Sequence, residues 1–308
     1  MRVLVTGGSG FVGRVVLQEL ASQGVQVVAT SRTAQPSVAG ERCCVLPEPR
    51  NSSAVEALLR SIEPQVVMHL AGVSTAPSYL NLYEANVVFG ANLLDASMAM
   101  RNRPRVLIVG SAAEYGPVPD DSQPVREDVA CRPNTAYGAS KLAQTHHALI
   151  AAGRGLAVVV ARLFNPIGPG MPKSLALGSF AHQIAKMGSY GGQLRTGDLE
   201  GIRDFMDVKL AARRLVDLAL RDATTPTIVN ICTGEGHRLL DLTRRLIALS
   251  GTDVELSQDL GRRGNSDVKT FIGDPSRLMT LGYSCAGSDF DAILADILRS
   301  ARAEVAAM

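Results

Sequence analysis

At 308 residues the chain is long for one minimal domain and suits one large domain or two closely joined ones. With 46% hydrophobic residues, 19% charged residues and a formal net charge of +2, it holds ample material for a core and gives no argument for a nucleic-acid or membrane-surface partner. No run approaches the ~20 apolar residues of a membrane span, so a soluble, cytoplasmic protein is expected. The chain opens on a short apolar strand at 3–5. A helix follows over 11–22, with Val12, Val15, Val16 and Leu20 near one face and Gly24 ending it. Strands are predicted at 25–29 and 42–46, a helix at 52–62, a strand at 66–70, a long helix at 83–100, a strand at 106–109, a helix at 135–152 and a strand at 157–162. Strands alternating with helices predict an α/β fold: a Rossmann-type doubly wound parallel sheet covered on both faces.

The pattern changes after a Pro/Gly-rich loop at 165–170. A helix at 177–187 and a glycine-rich turn at 188–192 follow, and the last third mixes helices with loops. The reading is a dinucleotide-binding domain over 1–165, to which 200–230 returns, and a smaller C-terminal α/β substrate lobe made of 166–199 and 231–308. Cys43, Cys44, Cys131, Cys232 and Cys285 show no C-x-x-C spacing and no matching histidine pair. They read as buried reduced thiols, and no metal is expected.

Two constellations carry chemistry. Gly7, Gly10 and Gly13 form a G-x-x-G-x-x-G loop between the first strand and the helix that Phe11 and Val12 open. Such a loop lets backbone N–H groups approach a pyrophosphate at a helix N-terminus. NAD-binding domains of this kind usually place a carboxylate after the second strand. Here Ser31 and Arg32 stand there, and a hydroxyl with a guanidinium suits a 2′-phosphate, which favours NADP(H) while leaving NAD(H) possible. Further on, Tyr137 and Lys141 form Y-x-x-x-K on a predicted helix, one turn apart on one face. An ammonium beside a phenol favours phenolate, so Tyr137 is expected to titrate well below its usual range and to serve as acid or base. Ser111 lies at the end of the fifth strand.

This combination resembles the extended short-chain dehydrogenase/reductase superfamily, which includes the NAD-dependent epimerases and dehydratases. The resemblance makes Ser111 the third catalytic residue beside Tyr137 and Lys141. It also assigns Leu70, Ala71 and Gly72 to the cofactor, Tyr137 and Lys141 to its nicotinamide ribose, and Asn86 and His69 to structural roles. His146 and His147 lie on the exterior of the Tyr137 helix and receive no function. Family dehydratases carry acidic residues directly after the serine. Here Ala112 and Ala113 cannot move protons, and Glu114 is expected to point away along an extended turn, so dehydration is not the expected reaction.

Residues 162–170, 179–185, 196–208, 229–234 and 272–278 resemble segments of GDP-6-deoxy-D-mannose reductases. That likeness implies an NADPH-dependent 4-ketoreductase acting on a nucleotide-linked 4-keto-6-deoxyhexose, GDP- or dTDP-linked. Ser111, Ala112, Asn165, Arg195, Arg203 and Arg263, with Arg262 as an alternative, would bind the substrate. Pro166 replaces a histidine of that pattern, Leu210 an aspartate, and Pro47 an aspartate beside the cofactor adenine. The arginine pair at 262–263 is shifted in register. Two rivals remain: a 4-epimerase with tightly bound NAD, and a non-catalytic NADP-binding sensor. The family likeness also implies a homodimer through the 83–100 and 135–152 helices.

Overall fold

The computed structural model describes residues 1–221, 227–259, 268–285 and 287–308. In chain order the elements are β1 (Arg2–Thr6), α1 (Phe11–Ser22), β2 (Gln26–Ser31), β3 (Arg42–Val45), α2 (Ser52–Ile62), β4 (Val66–His69), α3 (Tyr79–Tyr83), a π-helical turn (Glu84–Val88) and α4 (Phe89–Ala99). Next come β5 (Arg105–Ser111), a 3₁₀ turn (Ala112–Glu114), α5 (Ala136–Gly153), β6 (Val158–Leu163), β7 (Asn165–Ile167), α6 (Ala176–Met187), β8 (Gly192–Thr196), β9 (Ile202–Asp207) and α7 (Val208–Leu220). The chain closes with β10 (Ile228–Ile231), β11 (Gly236–Arg238), α8 (Leu239–Ser250), β12 (Val254–Gln258), β13 (Thr270–Phe271), α9 (Ser276–Thr280) and α10 (Phe290–Ala306).

Seven parallel strands form the main sheet in the order β10-β6-β5-β4-β1-β2-β3. This is the expected doubly wound sheet. Side chains alternate across each strand, so Val3 and Val5 pack on one face with Leu17, Leu20 and Leu215. Leu4 packs on the other with Leu59, Leu93 and Ala148. Both faces are covered, and every residue of β4 and β6 is buried, His69 and Arg162 included. Helices α1 and α2 match the expected spans. The expected helix at 83–100 begins earlier, at Tyr79, and widens into the π turn before α4.

The chain returns to the main sheet through α7 and β10. β9, within the expected returning segment, instead joins a small sheet with β7, β11 and β13. A separate core under that sheet gathers Leu177, Phe180 and Ile184 of α6, Leu242 and Leu246 of α8, and Leu294 and Leu298 of α10. The cysteines differ from expectation: Cys232 and Cys285 are buried, but Cys43 is exposed on the edge strand β3, where only one sheet face is covered. No cluster of metal-ligating side chains occurs among the described residues.

Candidate active site

A cleft of about 770 Å³ opens at the C-terminal ends of β1, β4 and β5, between the main sheet and the smaller lobe. This is the crevice where doubly wound sheets hold their ligands. Its cofactor side is backbone. Gly7 sits at φ +74°, and a Cβ there would lie 2.6 Å from the Ala71 nitrogen. A Cβ on Gly13 would lie 2.1 Å from the Gly7 carbonyl oxygen. Thr6 Oγ1 and His69 Nδ1 share a hydrogen bond of 2.7 Å, and the Ala71 N–H donates to the same oxygen at 3.3 Å. Burial first, and then the charge of Lys141, push His69 down to about 3, so it remains neutral.

Gly7, Gly10, Phe11, Val12 and Gly13 line the cleft, as do Leu70 and Gly72; Ala71 backs the glycine loop instead. The cradle fits a dinucleotide, since its close approaches leave room only for hydrogen at these glycines. Ser31 lines a small neighbouring recess with Ser9, Glu41 and Cys43, and its Oγ donates to the Thr33 carbonyl at 2.5 Å. Arg32 is exposed beside it. Sequence reasoning passed over Glu41, which supplies a carboxylate at this end of the site. That carboxylate accepts from Ser37 Oγ, the Val38 N–H and the Ala39 N–H at 3.0, 2.9 and 2.8 Å. Burial pushes its pKa up, but these bonds outweigh burial and leave it lowered. Glu41 is thus engaged in shaping its own loop.

Ser111, Tyr137 and Lys141 all line the cleft. Thr135 caps α5 by accepting from the Gly138 N–H at 3.0 Å, which starts the helix just before Tyr137. Ser111 ends β5, and its hydroxyl accepts from the Ala113 N–H at 3.2 Å. The same hydroxyl acts on the Tyr137 phenol and favours its ionised form. The expected depression of the Tyr137 pKa is not found. Burial raises it, the Ser111 hydroxyl only partly offsets this, and Glu114 adds a further upward push. Lys141 Nζ donates to Gln144 Oε1 at 2.5 Å. Burial pulls Lys141 down to about 8, against an opposing pull from Glu114.

The turn after Ser111 is a 3₁₀ helix and not the expected extended strand. It carries Glu114 back beneath its own N-cap, fully buried. The carboxylate there receives the Ser111 N–H at 2.8 Å, Thr145 Oγ1 at 2.9 Å and Arg162 Nε at 2.9 Å. Glu114 therefore does face away from the cleft, but through helical curvature rather than strand alternation.

On the substrate side, Ala112, Asn165 and Arg203 join Ser111 along the wall. The Arg203 guanidinium donates to the carbonyls of Ile202, Val268 and Lys269 at 2.8 to 3.1 Å, so it braces its own lobe. Asn165 Nδ2 is likewise tied to the Asp204 carbonyl at 2.8 Å. Arg195 is exposed on β8 and does not line the cleft. Arg262 and Arg263 lie outside the described residues. The remaining wall is largely apolar and includes Pro166, Met171, Leu175, Phe205, Leu239 and Phe271. Val73, Ser74 and Asn134 also line the cleft and were missed. They sit on loops, where no periodicity marks a functional position. Asn86 has the expected structural role: it accepts from the Val73 N–H and donates to the Val73 carbonyl and Ser140 Oγ.

Residues 3–232 match the NAD dependent epimerase/dehydratase family. The chain belongs to that family. It is 32% identical over 262 residues to a dTDP-6-deoxy-L-talose 4-dehydrogenase (NAD(P)(+)) of Kitasatospora kifunensis, covering 83% of this chain and 81% of that protein. It is 30% identical over 288 residues to a GDP-6-deoxy-D-mannose reductase of Pseudomonas aeruginosa, covering 90% and 89%. Among solved structures, RMD from Pseudomonas aeruginosa complexed with NADPH superposes with a TM-score of 0.82 at 27% identity, covering 98% of each chain. Both of the first two names give a redox enzyme of a 6-deoxyhexose carried on a nucleotide, and the first names position 4.

Proposed function

We propose that this protein is an NADPH-dependent 4-ketoreductase of a nucleotide-linked 4-keto-6-deoxyhexose. The observation that carries the reading is the arrangement around Ser111. Ser111 and Tyr137 both line the cleft, while Ala112 and Ala113 supply no second acid or base and Glu114 is turned inward. Dehydration needs a further proton-transferring group beside that pair; reduction of a ketone needs only one proton donor. The name of the first relative, a 4-dehydrogenase, supports C4 as the reacting carbon.

Gly7, Gly10 and Gly13 would hold the pyrophosphate, Ser31 and Arg32 the 2′-phosphate, and Lys141 the nicotinamide ribose. When bound, the cofactor supplies the hydride. Ser111 orients the ketone oxygen, and the Tyr137 hydroxyl gives it the proton. A high Tyr137 pKa suits this direction, because the phenol stays protonated at neutral pH. The apolar wall of Pro166, Met171 and Phe205 excludes water and suits a sugar with a methyl at C6. Residues 1–165 would bind the cofactor and 166–199 with 231–308 the sugar nucleotide.

A homodimer through α3, α4 and α5 follows the same reading. Tyr79 and Leu80 are 78% and 68% exposed and Ile150 is 54% exposed, an apolar face that a second copy would cover. The deciding experiment incubates the protein with GDP- and dTDP-linked 4-keto-6-deoxyhexoses, follows NADPH and NADH oxidation, and identifies the product sugar. Oxidation of NADPH with one of them is expected; none with either overturns the assignment.

A further inference from the structure

Of the five lysines in the chain, Lys141 is the buried one; Lys173, Lys186, Lys209 and Lys269 are exposed. A buried ammonium needs acceptors, and its geometry follows whichever acceptor it finds. Here that acceptor is the amide of Gln144, which is 1% exposed and lies three residues further along α5. Gln144 Nε2 donates in turn to the Asn86 carbonyl at 2.8 Å. This second bond fixes which way the amide points. Flipped, it would set an NH₂ against the ammonium and an oxygen against a carbonyl.

The neighbouring segment is shaped around this amide. Asn86 lies in the π-helical turn, where the Phe89 N–H reaches back five residues to the Glu84 carbonyl. Gly90 faces the amide from α4: a Cβ there would lie 2.9 Å from Gln144 Nε2 and 3.3 Å from its Cγ. The side chain of the same Asn86 holds Ser140 Oγ, so the π turn grips α5 at two places flanking Lys141. The titratable groups coupled to this ammonium are Glu114 and His69, and Tyr137 lines the same cleft one helical turn away. Glu114 is committed to Arg162, Thr145 and Ser111, and His69 is held neutral.

We infer that Gln144 is a positioning residue: its neutral amide oxygen holds the Lys141 ammonium in the dry site without cancelling the positive charge that Tyr137 and a bound cofactor would meet. The inference rests on Tyr137 and Lys141 acting together in proton transfer. A carboxylate at this position would form an ion pair and neutralise the field at Tyr137. An apolar side chain would leave the ammonium without an acceptor and strand the Asn86 carbonyl.

The test uses the full chain with Gln144→Glu and, as a second variant of opposite sense, Gln144→Leu. The first readout needs no substrate: NMR titration of the labelled Lys141 side chain and Tyr137 ring, assigned with Lys141→Met and Tyr137→Phe. Gln144→Glu is expected to raise the Lys141 midpoint by about one pH unit, a tenfold change in its proton affinity, and to raise that of Tyr137. Gln144→Leu is expected to lower the Lys141 midpoint. The second readout is the pH profile of ketone reduction. Tyr137 donates the proton, so the rate falls as pH rises past its pKa, and in Gln144→Glu that falling limb moves to higher pH.

Unmoved Lys141 and Tyr137 midpoints in both variants overturn the inference even in a fully active enzyme. Moved midpoints in a protein that reduces neither sugar nucleotide support the role of Gln144 while overturning the proposed reaction.

Discussion

On the cofactor side of the cleft the wall is backbone, and on the substrate side it is side chain. Gly7 and Gly13 work by what they lack, since their missing Cβ atoms let the loop fold onto Ala71 and onto itself. That requirement is local, has a fixed spacing and tolerates no other residue. Across the cleft, Pro166, Met171, Phe205, Leu239 and Phe271 converge from separate elements of the smaller lobe. No single spacing relates them, and many apolar sets would fill the same volume. The charged residues of that side differ as well. Arg203 is occupied by three backbone carbonyls and Arg195 faces solvent. A shared backbone cradle with a variable side-chain wall is how one fold keeps its cofactor chemistry while changing its substrate.

The contrast can be tested from its strongest point outward. Tyr137→Phe removes the proton donor and should lower kcat by about 10²–10⁴ with little change in NADPH affinity. Near-normal turnover in steady-state assays would reject the mechanism. Gly13→Ala places a methyl against the Gly7 oxygen, so the loop must move; calorimetric NADPH affinity should fall by about 100-fold, with about 1–3 kcal/mol lost in urea unfolding. A volume-conserving substitution in the apolar wall, Met171→Leu, should cost less than about 1.5 kcal/mol and alter KM for the sugar nucleotide alone. If the two substitutions behaved alike, the contrast between the halves would collapse.

Lys141 offers a check through pH. Its folded pKa, about 8, lies below the ordinary 10.5, so between those values the unfolded chain binds more protons. Stability without cofactor should therefore rise with pH across that window, by up to about 3 kcal/mol from this group. The difference between wild type and Lys141→Met in urea unfolding, measured at several pH values, isolates it; a constant difference would show that Lys141 is not buried as described. Arg32→Ala should narrow the preference for NADPH over NADH about tenfold, as expected for a lost charged hydrogen bond. Arg195→Ala should change KM less than about twofold and stability by less than about 0.5 kcal/mol, since the residue is exposed and away from the cleft.

Much of the scaffold was legible in the sequence. The glycine loop, the alternation of apolar strands with helices, and Tyr137 one turn before Lys141 each express a local rule, and such rules hold wherever the segment ends up. The site was legible in part. Glu114 was read as facing away for the wrong reason, because whether three residues after a strand stay extended or curl depends on the partners waiting for the last of them, here Arg162 and Thr145. Tyr137 was expected to be acidified by Lys141, yet burial dominates and raises the pKa of the phenol. Gln144 stands three residues after Lys141 on the same helix, a spacing that does place two side chains together. Its significance came only with Asn86 and Gly90 on the facing helix.

By itself, then, the sequence determined the doubly wound sheet, the glycine cradle and the one-turn spacing of Tyr137 and Lys141, since each depends on residues close in the chain. The tertiary structure alone decided which partner each charge meets: Glu114 the Arg162 guanidinium, Arg203 the carbonyls of its lobe, and Lys141 the neutral amide of Gln144. Protonation and charge in a buried site are set by the nearest atoms in space and by the water those atoms displace, and neither distance along the chain nor residue type fixes them.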